Sequence, residues 1–412
     1  MIGLDRNKIN AMMPRSEMQT DLISEVIDEI ASTIRSVTGV EKAVLHEPIV
    51  GQAETNAVSH CIAGGFVSSV GPAITQFEKM LCDYTGAQHV VAVVNGTAAL
   101  HLMLVASGIR PNNEVLVPAL TFVASGNAIL QANAIPHFVE SSSADLGIDV
   151  SKLDAYLADI SEMRNGCCWN VKTGRVISHV MPVHVFGHIG NVEGLKELAE
   201  RYNLHMVEDS AEALGSWKGG RHAGLFGTCG AVSFNGNKIV TTGGGGAILT
   251  HNANLAMRVR ALATTAKRDH PFLYWHDGLG FNYRMPALNA AFGIAQMERL
   301  EEMLEAKSRL RMAYQDAYST ARYTAFFAGS DDCQANHWLN AIQLGQSLLR
   351  HRDAILHGLN DRGYGCRPVW NLLSELPHFR DCPSMPLDQA TDLANRLINI
   401  PSSAVLVSCS GN

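Results

Sequence analysis

From His89 onward the sequence alternates short apolar runs with helical segments, and no other feature restricts the fold as much. The run VVAVV is continuous and apolar, as in a strand buried on both faces. Asn95-Gly96-Thr97 interrupts it, and AALHLMLVA then reads as a helix. EVLVP is a strand, ASGNAILQA a helix and IPHFV a strand. After an irregular stretch, VISHVMPVHVFG reads as a strand and VEGLKELAERY as a helix; LHMVED, AVSFN and GAILT are further strands. Such alternation predicts an α/β fold with a mostly parallel sheet. Ligands of these sheets sit at the carboxyl ends of the strands. The polar interruptions Asn95-Gly96-Thr97, Thr121-Phe122, His184 and Glu208-Asp209 fall at or just beyond those ends.

A chain of 412 residues accommodates one large and one smaller domain. Residues 1–43 stand apart as a helical extension, 44–300 carry the alternating pattern, and 301–412 form a smaller α+β portion. In the extension Leu22, Ile23, Val26, Ile27, Ile30 and Ile34 fall at helical spacing. The expectation is a helix packed on its own chain or on a partner subunit. Glu25, Asp28 and Glu29 on its polar face have the wrong sign for an anionic membrane. Residues 288–310 predict one long helix linking the two domains. The segment GGFVSSVGPAI has loop chemistry.

The net charge of −7, with no basic tract, argues against general nucleic-acid binding. The nine cysteines are scattered and include no CxxC pair, so neither a disulfide framework nor a structural zinc site is expected. The start is polar and shows no signal peptide, and the most apolar stretch is broken by Asn95-Gly96-Thr97. A cytoplasmic protein without membrane, nucleic-acid or metal partners is expected.

Residues 207–246 concentrate the candidate chemistry. An apolar strand delivers Glu208 and Asp209; a second apolar run leads to Ser233, then Lys238, then four glycines. A carboxylate and a lysine at neighbouring strand ends are what a pyridoxal phosphate site needs: the lysine holds the aldehyde, and the carboxylate keeps the pyridine nitrogen protonated. Each residue has a plainer reading beside this one. Asp209 could cap a helix, since AEAL follows. His184 is read equally as a buried, hydrogen-bonded histidine or as part of the site. Phe122 could stack on a planar ring or belong to the core. Gly96 and Thr97 could offer helix N-terminal amides to a phosphate, or be an ordinary helix start. Ser233 could add a hydroxyl to that phosphate.

Together the motifs VVNGTAALHL, PALTFVASGNAI, PVHVFG, VEDSAEALGS, AVSFNGNKIVTTGGGGAI and GFNYRMPALNAAFGIAQ resemble the DegT-type nucleotide-sugar aminotransferases, which have the aspartate aminotransferase fold (fold type I). The resemblance implies pyridoxal 5′-phosphate (PLP, cycling through its amine form PMP) as cofactor. Lys238 would hold its aldehyde, Asp209 would face its ring nitrogen, Phe122 would stack on it, and Gly96, Thr97 and Ser233 would hold its phosphate. Asn282 would reach that phosphate in a second subunit, which implies a homodimer. His184 would lie beside cofactor and substrate as a catalytic residue.

Many members of the family have glutamine where this chain has Glu212. The glutamate, with FVSSVG, TTAKRDHP, HDGLGFNYRMP and RPVWNLL, is similar to a subgroup that aminates UDP-2-acetamido-4-keto-2,6-dideoxy-hexose (the UDP-N-acetylbacillosamine and legionaminic-acid type), with glutamate as amino donor. Residues 65–71 (Ser69 and Val70 among them), Lys267, Arg268, His276, Tyr283, Trp338 and Trp370 are then candidates to contact the nucleotide sugar. The competing readings are an aminotransferase for another sugar, such as GDP-4-keto-6-deoxymannose, a PMP-dependent sugar dehydratase, and a non-catalytic PLP-binding regulator. Dehydratases of this type replace the lysine by histidine, so Lys238 argues against that reading. A regulator could lose the lysine or the aspartate, and both are present.

Overall fold

The computed structural model describes residues 15–408. The polar start of the chain and Cys409 lie outside them. The apolar runs form strands His89–Val93, Glu114–Pro118, Ile135–Val139, Arg175–Val180, Glu208–Asp209, Gly230–Ser233 and Gly246–Thr250. Ile135–Val139, Glu114–Pro118 and Arg175–Val180 are parallel neighbours, and His205–Met206 continues the set. Glu208–Asp209 pairs parallel with Gly230–Ser233, which runs antiparallel to Gly246–Thr250, as does His89–Val93. A parallel bridge between Val183 and Asp209 joins the two groups of strands. The predicted α/β architecture with a mostly parallel sheet is present. The irregular stretch after Ile160 is a hairpin of Ser161–Arg164 and Cys167–Asn170, added antiparallel at the sheet edge.

Helix Gly96–Ser107 is apolar almost all round, so it must be covered on every side. It packs against strands Gly230–Ser233 and Gly246–Thr250 and helices Val123–Gln131 and Ala253–Ala263. That burial fixes where its N-terminus meets the sheet. The expected single helix over residues 288–310 is two, Ala287–Met297 and Leu300–Tyr318, parted at Glu298-Arg299. Beyond them lies an antiparallel sheet in the order Thr324–Phe326, Asn340–Leu344, Leu397–Ile400, Arg367–Pro368. We propose the domain boundary near residue 300 because this sheet lies beyond it, although Ala306, Trp338 and Leu397 share the core of the large sheet.

The N-terminal helix Arg15–Thr38 packs on its own chain. Val26, Ile27, Ile30 and Ile34 join a core with Leu310, Tyr314, Ile355 and Leu359. Its acidic face binds the same region: Glu29 accepts the N–H groups of Arg322 and Tyr323 at 2.8 and 3.1 Å, and Arg362 meets Asp28 at 2.6 Å. Among the described residues no helix is long and apolar enough to cross a membrane, and no cluster of His, Cys, Asp or Glu could hold a metal ion. Ile30 is fully buried, so Ile30→Ala is expected to lower the unfolding free energy by about 2–5 kcal/mol in a denaturant titration. A change within experimental error would mean that the helix is not docked in solution.

Candidate active site

The carboxyl ends of the central strands open into a cleft of about 770 Å³. Its walls include Asn95, Gly96, Thr97, Phe122, Ser125, Asp209, Glu212, Ser233 and Lys238 from the large sheet, and Trp338, Arg367, Trp370 and Asn399 from the C-terminal portion. Distant stretches converge here because every parallel strand delivers its next loop to the same edge.

Strand alternation separates the acidic pair. Glu208 accepts from Gly224 N–H at 2.9 Å and Gly227 N–H at 2.6 Å, and sits 2.9 Å from His184 Nε2. Asp209 lines the cleft instead. Its Oδ2 accepts from Ser125 Oγ at 2.7 Å and its Oδ1 from Ala211 N–H at 3.1 Å. Ser125 in turn lies 3.0 Å from Thr121 Oγ1. Burial pushes the Asp209 carboxyl above its ordinary range; Ser125, Ala211 N–H, Lys238 and His184 only partly counter it.

Lys238 lies on the loop between strands Gly230–Ser233 and Gly246–Thr250. Phe234 N–H bonds Gly245 O at 2.8 Å, and Thr242 N–H bonds Phe234 O at 3.0 Å, closing the neck of that loop. Lys238 Nζ is 3.4 Å from Glu212 Oε1 and 3.5 Å from the centre of the Trp338 ring. Burial lowers its pKa, against the pull of Glu212 and Asp209. Glu212 is also raised, chiefly by burial; its other oxygen accepts from Phe186 N–H at 2.9 Å. Asn336 supports both partners: its Nδ2 donates to Glu212 O and its Oδ1 accepts from Trp338 N–H.

The glycines have separable tasks. A Cβ on Gly96 would meet Ser233 Cβ at 2.8 Å, and one on Gly246 would meet the Asn95 carbonyl at 2.7 Å. Only hydrogen side chains let the 95–97 turn lie against both strands. Asn95, not Thr97, caps the helix, accepting from Ala98 N–H at 2.8 Å. The N–H groups of Gly96 and Thr97 are left without intrahelical partners.

Several expected residues lie elsewhere. His184 does not line the cleft: its imidazole is buried against Glu208, and its N–H bonds Asp209 O at 3.0 Å, so it positions that strand. Ser69 and Val70 are also outside this chain's cleft, on the loop whose Ser68 carbonyl accepts from Ala287 N–H. Lys267 pairs with His276 across an isolated bridge and sits over the Tyr274 ring. Tyr283 stacks on Phe281, and Asn282 is exposed beside Thr264. Ser125, Asn336 and the cleft residues His46 and Asn399 were not singled out from sequence. Only Ser125 had a usable signal, in the first turn of the helix after Phe122.

This arrangement fits pyridoxal phosphate. A buried carboxylate bonded only to a hydroxyl and an amide faces the cleft, opposite a desolvated amine, and a glycine-lined helix start offers unpaired N–H groups. Such a site defines a fold-type-I pyridoxal-phosphate enzyme. Residues 48–408 match the model of the DegT/DnrJ/EryC1/StrS aminotransferase family, and the chain belongs to that family. It is 35% identical over 355 residues to a GDP-perosamine synthase of Caulobacter vibrioides, covering 86% of this chain and 91% of that one. A GDP-perosamine synthase of Vibrio cholerae is 32% identical, covering 87% and 93%. The aminotransferase PseC of Helicobacter pylori, involved in the biosynthesis of pseudoaminic acid, superposes with a TM-score of 0.80 at 22% identity, over 88% of this chain and 94% of that one. That likeness speaks to the fold. The protein is thus a pyridoxal-phosphate-dependent aminotransferase of that family.

Asp209 supplies a test of the site's electrostatics. Its folded pKa is raised, so the cofactor-free protein loses stability as pH climbs from the unfolded carboxyl value of about 3.8 to the raised one. Asp209→Asn removes that cost. Without cofactor, the variant is expected to melt higher than the parent at pH 7, with the gain vanishing as pH falls toward 3.8. A lower melting point at pH 7 would contradict the burial argument.

Proposed function

We propose that this enzyme transfers an amino group from glutamate to a GDP-linked 4-keto-6-deoxy sugar, with GDP-4-keto-6-deoxymannose as the acceptor, and acts as a homodimer in the cytoplasm. The observation that carries the nucleotide is the pair of GDP-perosamine synthases matched over about nine tenths of their length. This replaces the UDP-linked acetamido sugar as first choice. The UDP-sugar reading keeps two supports in the cleft, Glu212 beside Lys238 and the RPVWNLL motif with Arg367 and Trp370, since both are similar to the UDP-sugar subgroup. The loop residues that also favoured it, Ser69, Val70, Lys267 and His276, do not line this chain's cleft. The 4-amino sugar formed would serve surface-polysaccharide or glycan biosynthesis.

Lys238, Asp209 and Glu212 carry the chemistry in this reading. The cofactor, when bound, supplies an aldehyde that takes up amino groups and a ring that accepts an electron pair. Asp209, oriented by Ser125 and Ala211 N–H, presents negative charge to the ring nitrogen. Lys238 Nζ, its pKa lowered by burial, takes and returns the carbon-bound proton. Glu212 holds Lys238 over Trp338, close to where it works. Phe122 and Trp370, 6.4 Å apart, shield the cleft from water. Gly96, Thr97 and Ser233 hold the phosphate.

Asn282 and the exposed Phe272, Tyr274, Trp275 and Leu279 then belong to the contact with a second copy, in whose site Asn282 meets the phosphate. Purified enzyme is expected to be yellow and to sediment at twice the chain mass. Lys238→Ala is expected to abolish both the visible absorbance and turnover; if both persist, the mechanism is wrong. A panel of GDP-, UDP- and dTDP-linked 4-keto-6-deoxy sugars offered with glutamate tests the substrate. Amination of the GDP sugar is expected, and turnover of the UDP acetamido sugar alone would reverse the choice.

A further inference from the structure

Two side chains on the cleft wall carry polar atoms that the site described above does not use. Both ring nitrogens of His46 are buried without a well-formed hydrogen bond among the described residues, the Asn237 backbone making only a weak one, and Oδ1 of Asn399 is buried without any. Both residues line the cleft. Buried polar atoms are nearly always paired, and leaving one unpaired is costly, so an unpaired set at a substrate cleft points to a ligand.

The surrounding backbone fixes both residues. His46 lies on a strap tied to the C-terminal portion on each side of it. Ala43 bridges Tyr364, Leu45 O accepts from Ser402 N–H at 2.7 Å, and Glu47 N–H donates to Ser403 Oγ at 2.9 Å. Its ring packs 6.4 Å from that of Trp338, the same ring that Lys238 Nζ approaches. Asn399 sits inside the C-terminal sheet, between Ala341 and Arg367. His46 precedes the residues 48–408 that match the family model, so it lies outside the stretch that defines the family.

The chemistry of the open positions selects a ligand class. Burial, then the positive charges of Lys307 and Lys238, lowers the His46 pKa well below its ordinary value and favours the neutral imidazole, against a backbone hydrogen bond with Asn237. A neutral imidazole offers one donor and one acceptor, and Asn399 Oδ1 adds a second acceptor. Phosphate and carboxylate oxygens need donors, so two acceptors out of three positions disfavour them. Hydroxyl groups both donate and accept. We propose that His46 and Asn399 form the subsite that binds the hydroxyl groups of the hexose ring, beside the position served by Lys238. This rests on the nucleotide-sugar reading and extends it to a contact with the sugar itself.

Calorimetric titration of the pyridoxal-phosphate-loaded enzyme with GDP, GDP-mannose, UDP and UDP-N-acetylglucosamine tests it. His46→Ala and Asn399→Ala are each expected to weaken binding of the hexose-bearing ligand about tenfold and to leave the bare diphosphates unchanged. His46→Gln, which keeps a donor and an acceptor, is expected to recover most of the loss. Unchanged cofactor absorbance reports an intact site; if His46→Ala loses it, His46→Gln and Asn399→Ala decide. Equal weakening of diphosphate and nucleotide sugar, or no weakening of either, overturns the hexose subsite alone. If the unmodified enzyme binds neither nucleotide sugar, the nucleotide-sugar reading fails and the subsite with it.

Discussion

The site depends on keeping a carboxylate and an amine, both buried, charged or chargeable in one cleft. Burial works against both, raising Asp209 and lowering Lys238, while each favours the other's charged form. The surrounding structure supplies the compensation. Ser125 Oγ and Ala211 N–H hold Asp209, and Glu212, itself held by Phe186 N–H, holds Lys238. Phe186 takes the left-handed backbone conformation (φ 55°) in the turn that presents this N–H. Desolvation lowers the pKa of Lys238, which makes it a weaker base but leaves more of it as the free amine that can take a proton or attack an aldehyde.

The same cleft needs the C-terminal portion as its second wall. Lys307 is buried, has no carboxylate partner among the described residues, and donates to Trp338 O at 3.1 Å and Ser402 O at 2.6 Å. Burial pushes its pKa down to about 7. One ammonium thus ties the helix Leu300–Tyr318 to the ring under Lys238 and to the residue that holds the His46 strap. Asn336 makes a parallel connection, from Trp338 to the Glu212 turn. Trp338 and Asn336 thus link the C-terminal portion directly to Lys238 and to the Glu212 turn.

Much of this was legible in the sequence. Apolar runs of five or six residues, split by helical segments, were enough to place most strands; the longer run VISHVMPVHVFG is a strand only up to Val180 and turns into a short 3₁₀ helix at Val185–Gly187. Asp209 and Lys238 could be paired because each follows a strand that ends at the same edge. His184 looked equally suited to that edge; its side chain is instead taken by Glu208, and strand alternation alone does not show which neighbour claims a buried imidazole. The hairpin Ser161–Arg164 and Cys167–Asn170 was missed because its exposed edge lacks the apolar run that marks a central strand.

The sequence by itself determined the α/β class and placed Asp209, Lys238 and the Gly96-Thr97 turn at strand ends, because each is a local pattern of residue types. Only the tertiary structure decided that Ser125 orients Asp209, that Trp338 underlies Lys238, and that His46 and Asn399 enter the same cleft. These contacts join residues tens to hundreds of positions apart. Their geometry is set by how the N-terminal strap and the C-terminal sheet pack on the large sheet, which no local pattern encodes.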